Sequence, residues 1–313
     1  MIGSPELSVV IPVYNEEESL RPLWSELQKV LDALGFPAEV VFVDDGSRDR
    51  SAELIRGFIR DDPRARLVRL KANSGETAAN DAGFRSARGR IVVTMDADLQ
   101  DPPELIPELV AAWRGGAEIV RAARRSRAET GMRRAGFDLF HSLFGRLTDF
   151  PIEPNTGTFG LIGRDAIEAF HQLPERHRFF PGLRAWIGFP STEVLYDRQE
   201  RAAGEPQQTF RRLIRYALDG VFSFSHLPLR LLTYVGLFIA FMGFAGGLFF
   251  ILWRVLGFEN SQQGFTTLVV LVLFLGGIQL IGIGVLGEYL GRIYDEVKQR
   301  PLYVVKRRTG GNR

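Results

Sequence analysis

A chain of 313 residues with 45% hydrophobic residues is long enough for one large domain or two modest ones, and its net charge of +2 does not indicate a nucleic-acid partner. Cysteine is absent, which excludes a disulfide scaffold, a thiolate metal site and thiol catalysis, and fits a reducing compartment. The apolar run at Leu7–Val13 is too short for the core of a secretory signal, so none is predicted.

Four short apolar runs in the first hundred residues are typical of buried strands, and amphipathic patterns typical of helices lie between them. The predicted strands are Leu7–Val13, Glu39–Val43, Leu67–Leu70 and Ile91–Met95, and the predicted helices are Glu17–Leu34, Ser51–Arg60 and Thr77–Ala87. Strands that alternate with helices indicate βαβ units and a mostly parallel sheet. The predicted fold class is therefore α/β.

Polar clusters follow three of these strands at the points where the strands end. PVYNEEES comes after the first strand, DDGSRDRS after the second and DADLQDPP after the fourth. Each cluster alone is also typical of a turn or a helix start. In open parallel sheets, however, ligands bind at the carboxyl ends of the strands, so three such clusters together predict a ligand site.

The DADLQDPP cluster places two carboxylates very close together. Asp96 and Asp98 are separated by one residue, so in an extended segment both side chains point the same way. Like charges at this spacing require either full solvation or a cation between them. Oxygen ligands of this kind suit Mg²⁺ or Mn²⁺ bridging to substrate phosphates, and the four histidines are too scattered to form a softer site. The pattern favours an enzyme that uses a nucleotide diphosphate.

The composition changes near residue 228, where two long apolar runs begin. Leu229–Leu256 and Phe265–Tyr289 both exceed the roughly 20 apolar residues that cross a bilayer. Transmembrane helices are predicted at about residues 231–254 and 266–289, and the alternative is a pair of buried core helices. The runs form a hairpin with a short connecting loop.

Basic residues lie on both outer sides of this hairpin and are rare in its loop. They are Arg211, Arg212, Arg215, Arg230, Arg292, Lys298, Arg300, Lys306, Arg307 and Arg308. This asymmetry predicts an integral membrane protein with both termini in the cytosol. The predicted divisions are a catalytic domain at 1–200, an amphipathic juxtamembrane segment at 201–228, the hairpin at 229–290 and a basic tail at 291–313. Gln208–Ser225 has the pattern of an interfacial helix, or else of an ordinary amphipathic surface helix.

Three segments carry a resemblance to a known family. SVVIPVYNEEESL, VVFVDDGSRDRS and VVTMDADLQDPPE resemble the GT-A glycosyltransferases of family 2. The chain is more closely similar to the polyisoprenyl-phosphate glycosyltransferases, which include dolichyl-phosphate mannose synthases and bactoprenol glucosyltransferases. That similarity continues through LDGVFSFSHLPLR, the hairpin and GRIYDEVKQRPLYVV. It implies a GT-A catalytic domain, with a Rossmann-like and mostly parallel sheet, followed by a two-helix transmembrane hairpin.

The resemblance also implies roles for individual residues. The donor-binding residues would be Pro12, Tyr14, Glu16, Val43, Asp45, Asp96, Ala97 and Arg124. Asp98 and Gln100, with Asp96, would hold the metal. Asp96, Asp98 and Arg201 would be the catalytic residues.

Arginines outside the three clusters receive roles only from the resemblance. Arg124 in RAARRSR and Arg201 in ERAAGEP would each reach a phosphate. From the residues alone, ARRSR is typical of a solvated run of charge. Arg178 and Trp186, in RFFPGLRAWIGF, would shape the donor or acceptor site.

The chain departs from the family pattern at three positions. Thr158 stands where relatives carry the Asp that is often suspected as the general base, and Glu76 stands where a Lys is often found. Pro206 and Gln207 replace a Ser-Lys pair, which removes one cation from the phosphate site. A phosphate acceptor is mostly ionised near neutral pH, since its second pKa is about 6, so it needs positioning more than deprotonation.

The implied function is inverting, metal-dependent transfer of one sugar, with UDP-glucose as the first choice of donor, to undecaprenyl or dolichyl phosphate. The resemblance places this reaction at the cytoplasmic face of a bacterial inner membrane. The product would serve glycan modification, a separate flippase would move it outward, and the enzyme would form a homo-oligomer. One alternative is a processive polysaccharide synthase, although the Gln-x-x-Arg-Trp motif of those enzymes lacks its Trp in Gln208–Arg212. Another is a non-catalytic, membrane-anchored nucleotide-sugar-binding protein.

Overall fold

The computed structural model describes residues 4–124, 156–173, 175, 183–184, 186–196, 227–256 and 264–310. Its strands are β1 (Leu7–Val13), β2 (Ala38–Asp44), β3 (Ala65–Leu70), β4 (Ile91–Thr94), β5 (Ile119–Arg124), β6 (Thr156–Gly163), β7 (Ser191–Tyr196) and β8 (Val305–Thr309). Its helices are α1 (Leu20–Ala33), α2 (Ser51–Asp61), α3 (Glu76–Ser86), α4 (Ile106–Arg114), α5 (Arg164–Gln172), α6 (Leu227–Val255) and α7 (Phe265–Val297). A short 3₁₀ turn, Pro103–Leu105, precedes α4.

The described strands form one sheet in the order β7-β5-β6-β4-β1-β2-β3-β8. The centre of the sheet, β4-β1-β2-β3, is parallel, whereas β6 and β8 pair antiparallel with their neighbours. The predicted α/β class with a mostly parallel sheet is confirmed. The first four strands and the helices between them lie where the apolar periodicity predicted them.

Helices cover the two faces of the central strands. On one face α1 buries apolar residues at helical spacing, and its Trp24 stacks on Phe58 with ring centroids 5.4 Å apart. On the other face α3 lies so close to β1 that a Cβ on Gly83 would meet Val10 Cγ1 at 2.2 Å. Glycine is therefore required there, because any side chain would push the helix away from the sheet.

The described chain divides into two compact units, 1–216 with 300–313, and 217–299. The second unit contains α6 and α7. Within these helices, Pro228–Phe249 and Phe274–Val297 are long and apolar enough to cross a membrane, and neither is buried inside the structure. This lack of burial disagrees with the alternative of two core helices.

The C-terminal tail contains a strand that the sequence analysis did not predict. β8 pairs antiparallel with β3, and just before it the Lys71 backbone N–H donates to the Val304 carbonyl at 2.8 Å. The Tyr303 hydroxyl donates to Asp81 Oδ2 at 3.1 Å. Of the tail predicted at 291–313, residues 291–297 still belong to α7, and residues 300–313 return to the first unit, where β8 joins its sheet. The predicted juxtamembrane helix at Gln208–Ser225 lies outside the described residues.

Candidate active site

The polar loops after β1 and β2 hold each other in place by hydrogen bonds. The Asn15 N–H donates to Ser47 Oγ at 3.1 Å, and the Arg48 N–H donates back to Asn15 Oδ1 at 2.9 Å. The Glu16 N–H donates to Ser51 Oγ at 2.9 Å. These reciprocal contacts join two segments more than 30 residues apart in sequence into one structural unit at the carboxyl edge of the sheet.

The predicted donor-binding residues of β1 and β2 surround this unit. Pro12 lies opposite Val43 in the parallel register, and Val43 is fully buried. Tyr14 is 42% exposed, which leaves its ring accessible for stacking on a planar ligand group. Glu16 accepts a hydrogen bond from the Ser19 hydroxyl at 2.7 Å.

Asp45 is buried and holds the chain segment that leads into α3. Its Oδ1 accepts from the Ser74 N–H at 2.7 Å, and its Oδ2 accepts from the Gly75 N–H at 2.8 Å. Burial raises the pKa of Asp45 above its ordinary value, although the two N–H groups act in the opposite direction. The position of Glu76, the first residue of α3, is therefore set by a carboxylate at the end of β2.

The carboxylate pair after β4 lies in a turn rather than in an extended segment. The strand ends at Thr94, and Leu99 adopts a left-handed φ of 63°. The Gln100 N–H donates to Asp98 Oδ1 at 3.1 Å, which is a local turn contact. The assumption of an extended geometry through Asp96 and Asp98 was wrong, because the chain turns at Ala97 and Asp98.

Asp101 organises this turn, and the sequence analysis did not single it out. It is 2% exposed, and its two oxygens accept from the Asp96 N–H at 3.1 Å and from the Tyr196 hydroxyl at 3.1 Å. Tyr196, at the end of β7, also packs edge-on against Phe159 with ring centroids 5.6 Å apart. The sequence shows Asp101 as the third acid of DADLQD, but its role could not be inferred because its partner Tyr196 is 95 residues away in sequence.

Two of the departures from the family pattern meet in the structure. The Thr158 hydroxyl on β6 donates to Glu76 Oε1 at 3.3 Å. Glu76 is exposed as a residue, but protein atoms surround its carboxyl group. The pKa of Glu76 is raised by this partial burial and by the negative charges of Asp101 and Asp98. The hydroxyl of Thr158 acts in the opposite direction. Glu76 is thus a further acid of the edge at which the clusters gather.

The family model described as glycosyl transferase family 2 matches residues 8–170, which include all three polar clusters. The chain belongs to glycosyltransferase family 2. It is therefore a glycosyltransferase, as the resemblance implied.

Relatives of this glycosyltransferase match it almost from end to end. An uncharacterized glycosyltransferase of Synechocystis sp. is 46% identical over 96% of this chain and 94% of its own length. A prophage-derived bactoprenol glucosyl transferase of Shigella flexneri is 40% identical over 98% of this chain and 99% of its own. A prophage bactoprenol glucosyl transferase homolog of Escherichia coli is 39% identical over 96% and 99%. These names match the polyprenyl-phosphate type predicted from the sequence.

One solved structure illustrates a distant likeness to this glycosyltransferase. The crystal structure of mannosyl-3-phosphoglycerate synthase from Rubrobacter xylanophilus has a TM-score of 0.48 and 20% identity, covering 74% of this chain and 75% of that chain. A likeness at this level assigns no residue roles.

Some predicted site residues of the glycosyltransferase fall outside the described part of the chain. Arg201, Arg178 and the Pro206-Gln207 pair lie there, as does the side chain of Arg124, whose backbone ends β5. Ala97 is buried beside Asp96, and Trp186 is 51% exposed. Their roles stay predictions.

The residues present fit a hard divalent cation. Gln100 is 7% exposed, and its Oε1 is buried without a hydrogen-bond partner among the described residues. A buried acceptor left unpaired in this way costs free energy unless a ligand satisfies it. Nowhere in the described ranges do three acidic or histidine side chains gather closely enough to hold a metal by themselves. Mg²⁺ commonly combines one or two carboxylates with substrate phosphates, which suits a set made of Asp98, Asp96 and the Gln100 carbonyl.

Proposed function

We propose that this glycosyltransferase moves one sugar from a nucleotide diphosphate sugar to a polyprenyl phosphate, with UDP-glucose as the donor to test first. The observation that carries the proposal is the extent of the similarity to relatives named bactoprenol glucosyl transferase. It covers 98% of this chain and 99% of the Shigella flexneri relative, so it includes the two apolar helices as well as the catalytic unit. A shared catalytic fold alone would not extend to those helices.

The apolar helices support a membrane location for the reaction. Both are long and apolar enough to span a bilayer, and neither is buried inside the structure. A polyprenyl phosphate carries its reactive group at the membrane surface, so an enzyme anchored by α6 and α7 would meet its acceptor there. Basic residues on the outer sides of the hairpin favour a cytosolic catalytic unit.

We assign the donor diphosphate to the edge formed by the turn after β4. Asp98 and Gln100, with Asp96 beside them, would hold Mg²⁺ or Mn²⁺, and the bound metal would neutralise charge on the departing diphosphate. Tyr14 and Glu16 on the β1 loop would contact the nucleoside together with Pro12. Asp101 fixes the turn by holding the Asp96 backbone, so the two carboxylates are oriented before the donor arrives.

The acceptor phosphate supplies its own nucleophile in this proposal. An ionised phosphate oxygen attacks the anomeric carbon as the bond to the diphosphate breaks, which inverts the configuration and releases the nucleoside diphosphate. No proton has to be removed from the acceptor in the transition state, because its second pKa is about 6. The chain must instead position two anionic groups near each other, and Arg201 and Arg124 are the proposed cations for that task.

The test is to incubate membranes containing the full chain with labelled UDP-glucose, UDP-GlcNAc or GDP-mannose and undecaprenyl phosphate. We expect a lipid-linked monosaccharide, and an Asp98→Asn variant should fold and reach the membrane but form none. Asp61→Asn, an exposed carboxylate at the end of α2, is the matched control and should behave as wild type. A polymer would indicate a processive synthase, absence of product with every donor would indicate a binding protein, and either result would overturn the proposal.

A further inference from the structure

The Glu76–Thr158 pair is the feature of the active site that the proposed mechanism leaves unused. The two residues are 82 positions apart in sequence and lie on α3 and β6, yet the Thr158 hydroxyl donates to Glu76 Oε1 at 3.3 Å. Among the described residues, Thr158 is the one hydrogen-bond partner of the Glu76 carboxylate, so its Oε2 accepts nothing there. The contact with Thr158 therefore holds Oε1 of the Glu76 carboxylate and leaves Oε2 able to accept a hydrogen bond from a ligand.

The backbone at Glu76 is held from two sides. Asp45 fixes the preceding segment through the Ser74 and Gly75 N–H groups, at 2.7 and 2.8 Å. Further along α3, Gly83 packs directly against Val10 of β1. Because both ends of the first two turns are held, Glu76 has a defined place at the edge of the sheet.

The surroundings of Glu76 belong to the donor end of the site. Asp98 and Asp101 lie near enough to act electrostatically on its carboxyl. The same edge contains the buried Gln100 Oε1, which has no hydrogen-bond partner among the described residues and is therefore available to a ligand.

We propose that Glu76 recognises the donor sugar by accepting a hydrogen bond from one of its hydroxyl groups, and that Thr158 is the positioning residue that orients the carboxylate. The inference rests on the proposed function, since it requires a nucleotide sugar at this edge. Under this inference, Glu76 on α3 and Thr158 on β6 together contribute to the selectivity for the donor sugar. Neither residue would indicate such a role if it were considered alone.

Charge decides between the sugar and the acceptor phosphate as the partner of Glu76. Two negative charges close together at a protein surface repel each other, so a carboxylate facing the incoming phosphate would oppose its binding. A sugar is uncharged and rich in hydroxyl donors, for which a carboxylate oxygen is a strong acceptor. A proton-accepting role is not needed, because the phosphate is already ionised.

The test compares the affinity of the purified full chain for a nucleotide sugar and for the nucleotide alone, by calorimetry in detergent. UDP-glucose and UDP form the first pair, and UDP-GlcNAc with UDP and GDP-mannose with GDP follow if wild type does not bind UDP-glucose. Glu76→Gln should weaken binding of the nucleotide sugar about tenfold or more and leave the nucleotide within about twofold, since the sugar hydroxyl loses a charged acceptor. Thr158→Val should weaken the same step by less, and should add little in the Glu76→Gln background.

Two further variants separate recognition from general effects. Glu76→Asp keeps the charge and should recover part of the affinity for the sugar. Glu53→Gln removes the corresponding exposed acid from the first turn of α2 and should leave both affinities unchanged. A deoxy analogue of the donor that lacks the contacted hydroxyl should bind wild type and Glu76→Gln equally.

The inference is overturned if Glu76→Gln changes both affinities by the same factor or changes neither. It is also overturned if binding is unaffected while kcat falls by 10²–10⁴-fold with an altered pH profile, because that pattern belongs to a general base. If wild type binds none of the three nucleotide sugars, the proposed function fails with it. If wild type binds donor and makes the lipid-linked sugar while Glu76→Gln shows no selective loss, only this inference fails.

Discussion

Asp45 and Asp101 lie in the polar clusters, yet each uses both carboxylate oxygens to hold the protein itself. Asp45 accepts two backbone N–H groups ahead of α3, and Asp101 accepts the Asp96 N–H and the Tyr196 hydroxyl. Satisfied buried acids of this kind add rigidity, because every polar atom is paired. Asp45 therefore positions the segment ahead of α3, and its predicted contact with the donor stays a prediction. Asp101 positions the turn that carries Asp96 and Asp98.

Thr158→Ala and Arg201→Ala should differ strongly in their effect on transfer. Among the described residues the Thr158 hydroxyl makes one hydrogen bond, to Glu76, so its removal should cost about 1 kcal/mol and keep activity within roughly tenfold of wild type. Arg201→Ala should fall well below that, because phosphate charge would be unshielded during the attack. Initial rates with labelled donor and undecaprenyl phosphate measure both.

A dead Thr158→Ala enzyme that still binds donor would contradict the self-activated phosphate. A proton acceptor would then have to be sought between residues 155 and 164, with Asp165 as the first side chain to replace. Asn155 itself lies outside the described residues.

The sequence identified the carboxyl-edge residues because the three clusters each follow a locally recognisable strand. Asp96, Asp98 and Gln100 could be placed together on that basis. The Glu76–Thr158 contact could not, since α3 and β6 approach only through the sheet order β6-β4-β1. In the sequence, Glu76 and Thr158 are two separate differences from the family pattern. Only the fold shows that the two residues are in contact.

At the scale of elements, a buried ion network joins several strands at the edge opposite the active site. Glu39, in β2, accepts hydrogen bonds from the Ser8 hydroxyl at 2.8 Å, the Arg88 N–H at 2.7 Å and Arg66 Nη1 at 2.9 Å. Ser8 belongs to β1, Arg66 to β3, and Arg88 precedes β4. One carboxylate thus fixes the amino ends of the four central parallel strands relative to each other.

Glu39→Gln should destabilise the protein in a pH-dependent way. Burial alone would raise the pKa of Glu39, but the Arg88 N–H, the charge of Arg66 and the Ser8 hydroxyl outweigh it, and the net pKa is lowered. Because the pKa of Glu39 is lower in the folded protein than in the unfolded chain, where it is near 4.5, the ionised carboxylate stabilises the fold at pH values above 4.5. This stabilisation is lost as the pH falls through the pKa of the folded protein. The free energy of unfolding of the variant should be about 3 kcal/mol lower than that of wild type at neutral pH.

Thermal unfolding of the detergent-solubilised chain between pH 3 and 8 measures this effect. The gap between wild type and Glu39→Gln should be full at neutral pH and shrink below about pH 4.5. A gap that stays constant over this range would mean that the ionised carboxylate is not the stabilising species. Transfer activity per folded molecule should be unchanged, since Glu39 lies at the other edge of the sheet.

Strands could be predicted from the sequence where a buried strand leaves a short apolar run. They could not be predicted where a strand depends on pairing with a segment far away in sequence. β1 to β4 are short apolar runs, so they could be recognised one at a time. β8 reads VKRRT, with its three basic residues exposed, and nothing in those five residues resembles a buried strand. It is a strand because β3 offers an unpaired edge, more than 230 residues earlier in the chain.

At the scale of the whole molecule, the chain passes through two apolar helices and then rejoins the unit in which it began. Residues 300–313 belong to the same compact unit as residues 1–216, and β8 closes the β3 edge of the sheet. Open strand edges promote pairing between molecules, so a charged edge strand such as β8 protects the protein from aggregation. The tail is therefore part of the catalytic fold and more than a basic anchor at the membrane.

Truncation after Leu302 should destabilise the protein and promote its aggregation. The deletion removes the β3–β8 ladder, the Val304 carbonyl that accepts from the Lys71 N–H, and the Tyr303–Asp81 hydrogen bond. Losing several hydrogen bonds of about 1 kcal/mol each should lower Tm by roughly 5 to 10 °C. Lys306→Gln with Arg308→Gln removes charge but keeps the backbone ladder, so it should unfold nearly as wild type does. If the truncated chain matches wild type in Tm and stays monodisperse, β8 does not stabilise this edge. If the double glutamine variant loses as much stability as the truncated chain, the tail acts through its charge and not through the strand pairing.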